Sequence, residues 1–146
     1  LLFMTLIKVI IPAFNEEDSI GLVVRDIPRH VNEIIVVSNN STDQTETRAV
    51  EAGATILRED RPGYGYACLK GMRYVAAQEQ KPDIIVFLDG DYSDYPEQLD
   101  ELITPIIEKD IDLVIGARVK RFRESGKTIL YGNKKIRTLL IPLGKL

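Results

Sequence analysis

The chain has 146 residues, 45% hydrophobic and 28% charged, with a formal net charge of −3; this length and composition are typical of one globular domain with a substantial core. The single cysteine excludes an intrachain disulfide and a thiolate metal cage, and it fits a reducing, cytoplasmic compartment. No apolar stretch reaches the ~18 residues that a transmembrane helix needs, and we expect no nucleic-acid partner.

The first half of the chain alternates apolar runs with segments of helical periodicity. A β-branched run closed by proline predicts a strand over residues 6–12, and EIIVVS predicts a buried strand over 33–38. Between them, apolar residues recur at helical spacing over 16–30, where early acids suit the positive end of a helix. Capping residues precede a helix predicted over 45–53, and ATIL predicts a short strand over 54–57.

The second half continues this alternation. Helices are predicted over 67–80 and 96–110, the latter with a proline in its first turn, and strands over 83–89 and 112–118. The predicted strands are apolar along their whole length, as in parallel sheets that are buried on both faces. We therefore predict an α/β, Rossmann-like fold with a mainly parallel sheet and helices on both faces.

Charge is unevenly distributed along the chain. Residues 118–146 carry nine lysines and arginines against one acidic residue, which leaves the preceding residues strongly acidic. Such a basic segment either binds an anionic partner or is a solvated, flexible end. We divide the chain on this basis into a domain over 1–118 and a basic, partly amphipathic tail over 119–146.

Polar segments follow four of the predicted strands, namely AFNEE, SNNSTDQT, DGDYSD and the AR of residues 117–118. Ligands of open α/β sheets bind at the carboxyl ends of the strands, so these segments should form one site. At its centre, Asp89 and Asp91 flank Gly90 and can point the same way in an extended loop. Paired carboxylates there could hold Mg²⁺ or Mn²⁺ with positions left for phosphate oxygens. The alternative is a solvated acidic turn.

Five segments together resemble family 2 glycosyltransferases with the GT-A fold, and they occur in the same order: KVIIPAFNEEDSI, EIIVVSNNSTDQT, RPGYGYACLKGM, VFLDGDYSDYPEQL and LVIGAR. The chain is most similar to the branch of polyprenyl-phosphate (dolichyl-phosphate) mannosyl- and glucosyltransferases. The resemblance covers residues 6–118, and GNKKIRTLLIPLG resembles the stretch that follows in that branch. It implies a GT-A fold and a UDP- or GDP-linked sugar donor.

The resemblance also implies roles for individual residues. A pocket for the base and ribose would be lined by Pro12, Ala13, Phe14, Asn15 and Glu16. Asp89 and Gly90 would lie against the ribose and diphosphate. Asp91, helped by Asp89, would bind the metal, with Ser93 nearby, and Arg118 would face the acceptor phosphate. Asp91 and Arg118 are therefore the predicted catalytic residues.

One nucleotide-binding position departs from the family pattern. Members of the family usually have an acidic residue where this chain has Ser38, and that carboxylate commonly contacts the base. A serine hydroxyl can still form a hydrogen bond, but it gives less control over base choice. Asn39, Asn40 and Asp43 could compensate in part, although Asp43 could equally cap the following helix.

The implied reaction is metal-assisted, inverting transfer of a sugar to an acceptor. A hydroxyl acceptor needs a general base, which family members place beyond the length of this chain. A lipid phosphate is already ionised and needs only cationic positioning, which the basic tail could supply at a membrane surface. We therefore expect a polyprenyl-phosphate acceptor, a peripheral cytoplasmic location and a C-terminal part that continues in the full-length protein.

Two other functions fit parts of the pattern. A nucleotide-sugar-binding module without turnover would account for Ser38 and for the short chain. A haloacid-dehalogenase-like phosphatase also places two aspartates after a strand, but its nucleophile lies near the N-terminus, and Asp89 comes late in the chain.

Overall fold

The computed structural model describes residues 4–116 and, beyond them, the backbone of five short strands. The α-helices in these parts of the chain are α1 (Ile20–Asp26), α2 (Thr45–Glu51), α3 (Tyr64–Ala77) and α4 (Leu99–Lys109), and a short 3-10 helix, Pro96–Gln98, directly precedes α4. The strands before residue 117 are β1 (Ile7–Ala13), β2 (Glu33–Ser38), β3 (Thr55–Arg58), β4 (Ile84–Phe87) and β5 (Val114–Ile115). Those after it are β6 (Val119–Arg121), β7 (Glu124–Ser125), β8 (Thr128–Ile129), β9 (Gly132–Lys134) and β10 (Leu139–Pro142).

The main sheet has six strands in the order β3-β2-β1-β4-β10-β5. The first four are mutually parallel, whereas β10 is antiparallel to both of its neighbours. Two small antiparallel pairs, β6 with β9 and β7 with β8, lie outside this sheet. The predicted α/β architecture with a mainly parallel sheet is therefore confirmed.

Helices cover both faces of the sheet, as predicted. Alternate residues of a strand point to opposite faces. Ile7, Val9 and Ile11 of β1 pack with apolar residues of α1, α2 and α4. Ile10 points the other way and packs with residues of α3. All seven residues of β1 are buried, so the central strand fixes the position of the loop that follows it.

Most element boundaries differ from the prediction by one to four residues, and three differences are notable. Helix α1 begins at Ile20 rather than at residue 16, because Thr45 at the start of α2 and Asp43 in the loop before it accept hydrogen bonds from the backbone N–H groups of Glu16 and Glu17. Helix α3 begins three residues early, at Tyr64, after Gly63 with its φ of 130°. Strand β5 has only two residues.

The segment after residue 118 contributes to the main sheet through β10, which pairs with β4 and β5. The sequence analysis did not predict this strand, so part of the predicted tail belongs to the sheet. The boundary at residue 118 and the acceptor-side role of the tail remain predictions. No helix within the described parts of the chain is long and apolar enough to cross a bilayer.

Candidate functional site

A pocket of about 270 Å³ opens at the carboxyl edge of the sheet, between the ends of β1 and β4. It is lined by seven of the residues predicted for the site: Pro12, Ala13, Phe14, Glu16, Asp89, Gly90 and Asp91. Three further residues complete the lining: Asn39, Tyr64 and Ala67. The structure thus brings the two predicted clusters, one after β1 and one after β4, to the same pocket.

The loop after β1 is fastened to the loop after β2. Asn15 has a φ of 52°, a conformation that asparagine tolerates better than most residues. Its Oδ1 accepts a hydrogen bond from the backbone N–H of Thr42 at 2.8 Å, and its own N–H donates to Ser41 Oγ at 3.1 Å. Asn15 was predicted to line the nucleotide pocket, but the structure places its side chain on the β2–α2 loop.

The loop after β4 is held against α1. The hydroxyl of Ser19 donates to the carbonyl of Gly90 at 2.8 Å, and the phenol of Tyr92 bonds to the carboxylate of Asp26. The backbone N–H of Ser93 donates to Asp91 Oδ1 at 3.0 Å. Because Gly90 and Tyr92, on either side of Asp91, are both held by α1, the position of Asp91 follows from the packing of β4 and α1.

Negative charge accumulates in the pocket. Burial raises the pKa of Glu16, and the carboxylates of Asp91, Asp43 and Asp89 raise it further, although the hydrogen bond from Ser19 opposes them. A dication would relieve this crowding. Within the described residues no three acidic, histidine or cysteine side chains form a complete metal cage. Asp89 and Asp91 therefore fit a hard cation that takes its remaining oxygens from a ligand or water.

We expect the titration of Glu16 to be visible in the stability of the metal-free chain. A raised pKa means that the folded state binds more protons than the unfolded state, so stability falls as the pH rises from about 4.5. Glu16→Gln should flatten this slope and raise the free energy of unfolding at pH 7 by roughly 0.5 kcal/mol, since solvent screens a partly exposed group.

Urea unfolding between pH 4 and 8 measures this effect, with Glu101→Gln, on the exposed surface of α4, as the control. The control should retain the slope of the wild-type chain. A Glu16→Gln variant that is less stable than wild type at pH 7 would contradict the interpretation.

Ser38 does not line the pocket. It is only 2% exposed and contributes instead to a separate polar pocket of about 440 Å³ that includes Glu46 and Arg58. Neighbouring residues at the end of a strand point to opposite faces, and it is Asn39 that faces the first pocket. The structure therefore places Ser38 in the second pocket, and its nucleotide-binding role remains a prediction.

The side-chain amide of Asn39 forms three hydrogen bonds with the backbone of the loop that precedes α3. Its amide nitrogen donates to the carbonyls of Glu59 and Arg61 at 2.7 and 2.8 Å, and its Oδ1 accepts from the N–H of Gly63 at 2.9 Å. These bonds fix the loop that leads into α3. They therefore also fix the position of Tyr64, which is the first residue of that helix and lines the pocket.

Tyr64 was missed because α3 was predicted to begin only at residue 67, and Ala67 was missed because a small apolar residue at a helix start carries no sign of a binding role. The glycines on either side of Tyr64 favoured a loop there, although Gly63 alone forms the turn before the helix. Arg118, the predicted acceptor-side residue, lies outside the described residues, and its catalytic role remains a prediction.

A parallel sheet with aspartates after β4, facing the exit of β1 across a pocket, defines a protein with a GT-A-like α/β fold. The chain belongs to the family described as glycosyl transferase family 2, whose family model matches residues 8–144. The family prediction is therefore confirmed, and a phosphatase of the dehalogenase type is no longer a credible alternative.

Relatives of known sequence support this assignment. An uncharacterized glycosyltransferase of Mycobacterium tuberculosis strain H37Rv is 38% identical over 112 residues, covering 77% of this chain and 48% of the relative. Glucosyl-3-phosphoglycerate synthase of Mycolicibacterium smegmatis is 31% identical over 148 residues, covering 92% of this chain and 47% of the relative. The chain spans about half the length of these relatives.

Solved structures show the same fold. Glucosyl-3-phosphoglycerate synthase of Mycobacterium tuberculosis in complex with Mn²⁺, UDP and glucosyl-3-phosphoglycerate matches with a TM-score of 0.64 and 34% identity. That match covers 76% of this chain and 43% of the other. A complex of the same enzyme with UDP matches with a TM-score of 0.66 and 33% identity, over 81% of this chain and 46% of the other.

Proposed function

We propose that this chain is the donor-binding part of a glycosyltransferase that takes a sugar from a UDP-linked donor with the help of Mg²⁺ or Mn²⁺. The observation that carries the proposal is the pocket in which Asp89 and Asp91 face Pro12–Phe14 and Glu16 across the edge of the sheet. The related synthase has been solved with Mn²⁺ and UDP and with Mg²⁺ and UDP, which supports both the nucleotide and the metal.

The residues of the pocket suit this chemistry. Breaking the bond between the anomeric carbon and the diphosphate leaves negative charge on the β-phosphate. A bound dication would act as a Lewis acid on that phosphate, and a charge pair about 4 Å apart is worth on the order of 4 kcal/mol at an effective dielectric near 20. Asp89 and Asp91 would hold the ion, while the exposed ring of Phe14 offers a face for the base.

The acceptor is proposed only as a phosphorylated compound. The sequence resemblance implied a polyprenyl phosphate at a membrane surface, but the comparisons lend that acceptor no support. The related synthase was solved with phosphoglyceric acid, which favours a small phosphorylated acceptor. These two acceptors share a phosphate and differ in the nucleophile, since a hydroxyl acceptor also requires a general base.

The first experiment measures nucleotide binding by the wild-type chain. We expect UDP with Mn²⁺ to raise the melting temperature by several degrees, because a ligand at 100 times its Kd stabilises the folded state by about 2.7 kcal/mol. Removing the metal with EDTA should abolish most of the shift, and GDP should give a smaller one. No shift with either nucleotide in the presence of metal would overturn the proposal.

The second experiment separates transfer from binding. The chain is supplied with UDP-glucose, Mn²⁺ and either 3-phosphoglycerate or a polyprenyl phosphate, and UDP release is followed. Release that requires one acceptor identifies its class. Metal-dependent binding without release in either mixture would select the alternative of a binding module without turnover.

A further inference from the structure

Tyr64 occupies a position at the pocket that neither the sequence pattern nor the comparisons assign. It is the first residue of α3, and 57% of its surface is exposed to solvent. Its phenolic hydroxyl nevertheless points inward and donates a hydrogen bond to Asp89 Oδ1 at 3.4 Å. A tyrosine phenol is protonated at neutral pH and can therefore donate this hydrogen bond.

The loop before α3 presents Tyr64 in a fixed orientation. Gly63 adopts a φ of 130°, which other residues rarely adopt, and its N–H is bound by Asn39. Upstream, Arg61 pairs with the buried carboxylate of Glu59 through two hydrogen bonds of 2.9 Å. The start of α3, and with it the ring of Tyr64, is therefore held by the body of the domain.

We propose that Tyr64 is a positioning residue for Asp89: its hydroxyl holds one carboxylate oxygen, so that the other oxygen is aimed at the metal and the donor. This inference rests on the proposed function. A carboxylate has two oxygens that can rotate between partners. A donor on Oδ1 fixes the orientation of the carboxylate, and it reduces the freedom that Asp89 would lose when a ligand binds.

The length of this hydrogen bond makes it testable without unfolding the chain. At 3.4 Å it is longer than the usual 2.5–3.0 Å of an O–H···O bond, so it adds little to stability before a ligand is present. Hydrogen bonds in ligand-free sites often shorten once the complex forms. The effect of losing the hydroxyl should therefore fall on metal-dependent binding and leave the fold intact.

Tyr66 provides a matched control on the same helix. It is 45% exposed, its ring lies 4.5 Å from the guanidinium of Arg61, and it does not line the pocket. Tyr66→Phe removes the same atom as Tyr64→Phe and keeps the ring that stacks on Arg61. Any general effect of losing a phenol from this helix should appear in both variants.

The experiment compares the two variants with wild type by titrating UDP at several Mn²⁺ concentrations and by recording the melting temperature without ligand. Tyr64→Phe should weaken UDP binding in the presence of Mn²⁺ about three- to tenfold, the size expected for one hydrogen bond. It should also require more Mn²⁺ for half-saturation and should bind UDP in EDTA as wild type does. Tyr66→Phe should match wild type throughout.

The outcomes are distinct. If wild type binds UDP with Mn²⁺ and Tyr64→Phe does so with the same affinity and metal requirement, the positioning role is wrong while the proposed function stands. Equal losses in both tyrosine variants, or equal losses with and without metal, would also overturn it. If wild type itself shows no metal-dependent binding, the proposed function fails, and the role of Tyr64 fails with it.

Discussion

Replacing Asp91 by asparagine should weaken the binding of UDP in the presence of Mn²⁺ at least about 100-fold and leave the fold intact. Asp91 is exposed at the rim of the pocket. Its Oδ1 accepts a hydrogen bond from the backbone N–H of Ser93, which an amide oxygen can still accept. The amide loses the charge that faces the dication. At about 4 Å that charge pair alone is worth on the order of 4 kcal/mol, well above the ~2.7 kcal/mol that a 100-fold loss represents.

Isothermal titration with UDP, in Mn²⁺ and in EDTA, measures this loss. Asp18→Asn is the matched control, because Asp18 is an exposed carboxylate at the same edge of the sheet but outside the pocket. It removes the same charge and should change the affinity less than about twofold, since salt screens exposed charges at a distance. Equal losses in both variants would show that the protein's general field, and not a metal at Asp91, determines nucleotide affinity.

The central strands and the pocket edge could be predicted because they depend on local patterns. A run such as that of β1, apolar at every position except Lys8, has few alternatives to a buried parallel strand. Once strands and helices alternate, all the loops after strands must lie at one edge. This is why Asp89 and Glu16, far apart in the sequence, could be assigned to one site.

What could not be predicted depends on contacts between distant segments. The polar side chain of Asn15 is of a kind that often lines a binding pocket. The neighbouring loop, however, supplies the backbone N–H of Thr42, and the side chain of Asn15 accepts a hydrogen bond from it. Ser38 is the last residue of β2 and Asn39 follows it, and only the register of β2 decides which of them faces the first pocket. The start of α3 depends on the hydrogen bond from Gly63 to Asn39, and this bond places Tyr64 at the pocket.

These contacts between loops also explain why a cluster of carboxylates at the edge of the sheet does not disrupt the fold. The carboxylates at the edge repel each other, but their loops are fastened by uncharged groups, such as the hydroxyl of Ser19 on Gly90 and that of Thr45 on the N–H of Glu16. Repulsion is therefore resisted by the backbone, and the carboxylates remain together before a cation arrives. Such preorganisation lowers the cost of ordering the site when the ligand binds.

The packing of α3 against β1 supports this whole edge, and it leaves little room beside Gly71. A Cβ added to this buried glycine would lie 2.5 Å from Cγ2 of Ile10, with two further atoms of that side chain at 3.2 and 3.3 Å. Cγ2 is attached at the branch of a fully buried side chain in the central strand, so it cannot swing away. Accommodating the methyl group must shift α3 or force Ile10 out of its rotamer.

Gly71→Ala should therefore destabilise the chain by about 1–2 kcal/mol, since overpacking costs roughly 1–3 kcal/mol and the better helix propensity of alanine returns up to about 1 kcal/mol. Gly65→Ala, on the same helix, is the control, because nothing lies within 4 Å of its added Cβ. That variant should be neutral or more stable by up to about 1 kcal/mol. Urea unfolding of both variants tests the pair. Equal stabilisation in both would mean that α3 does not approach β1 as closely as the structure places it, and the position of Tyr64 over the pocket would then lose its support.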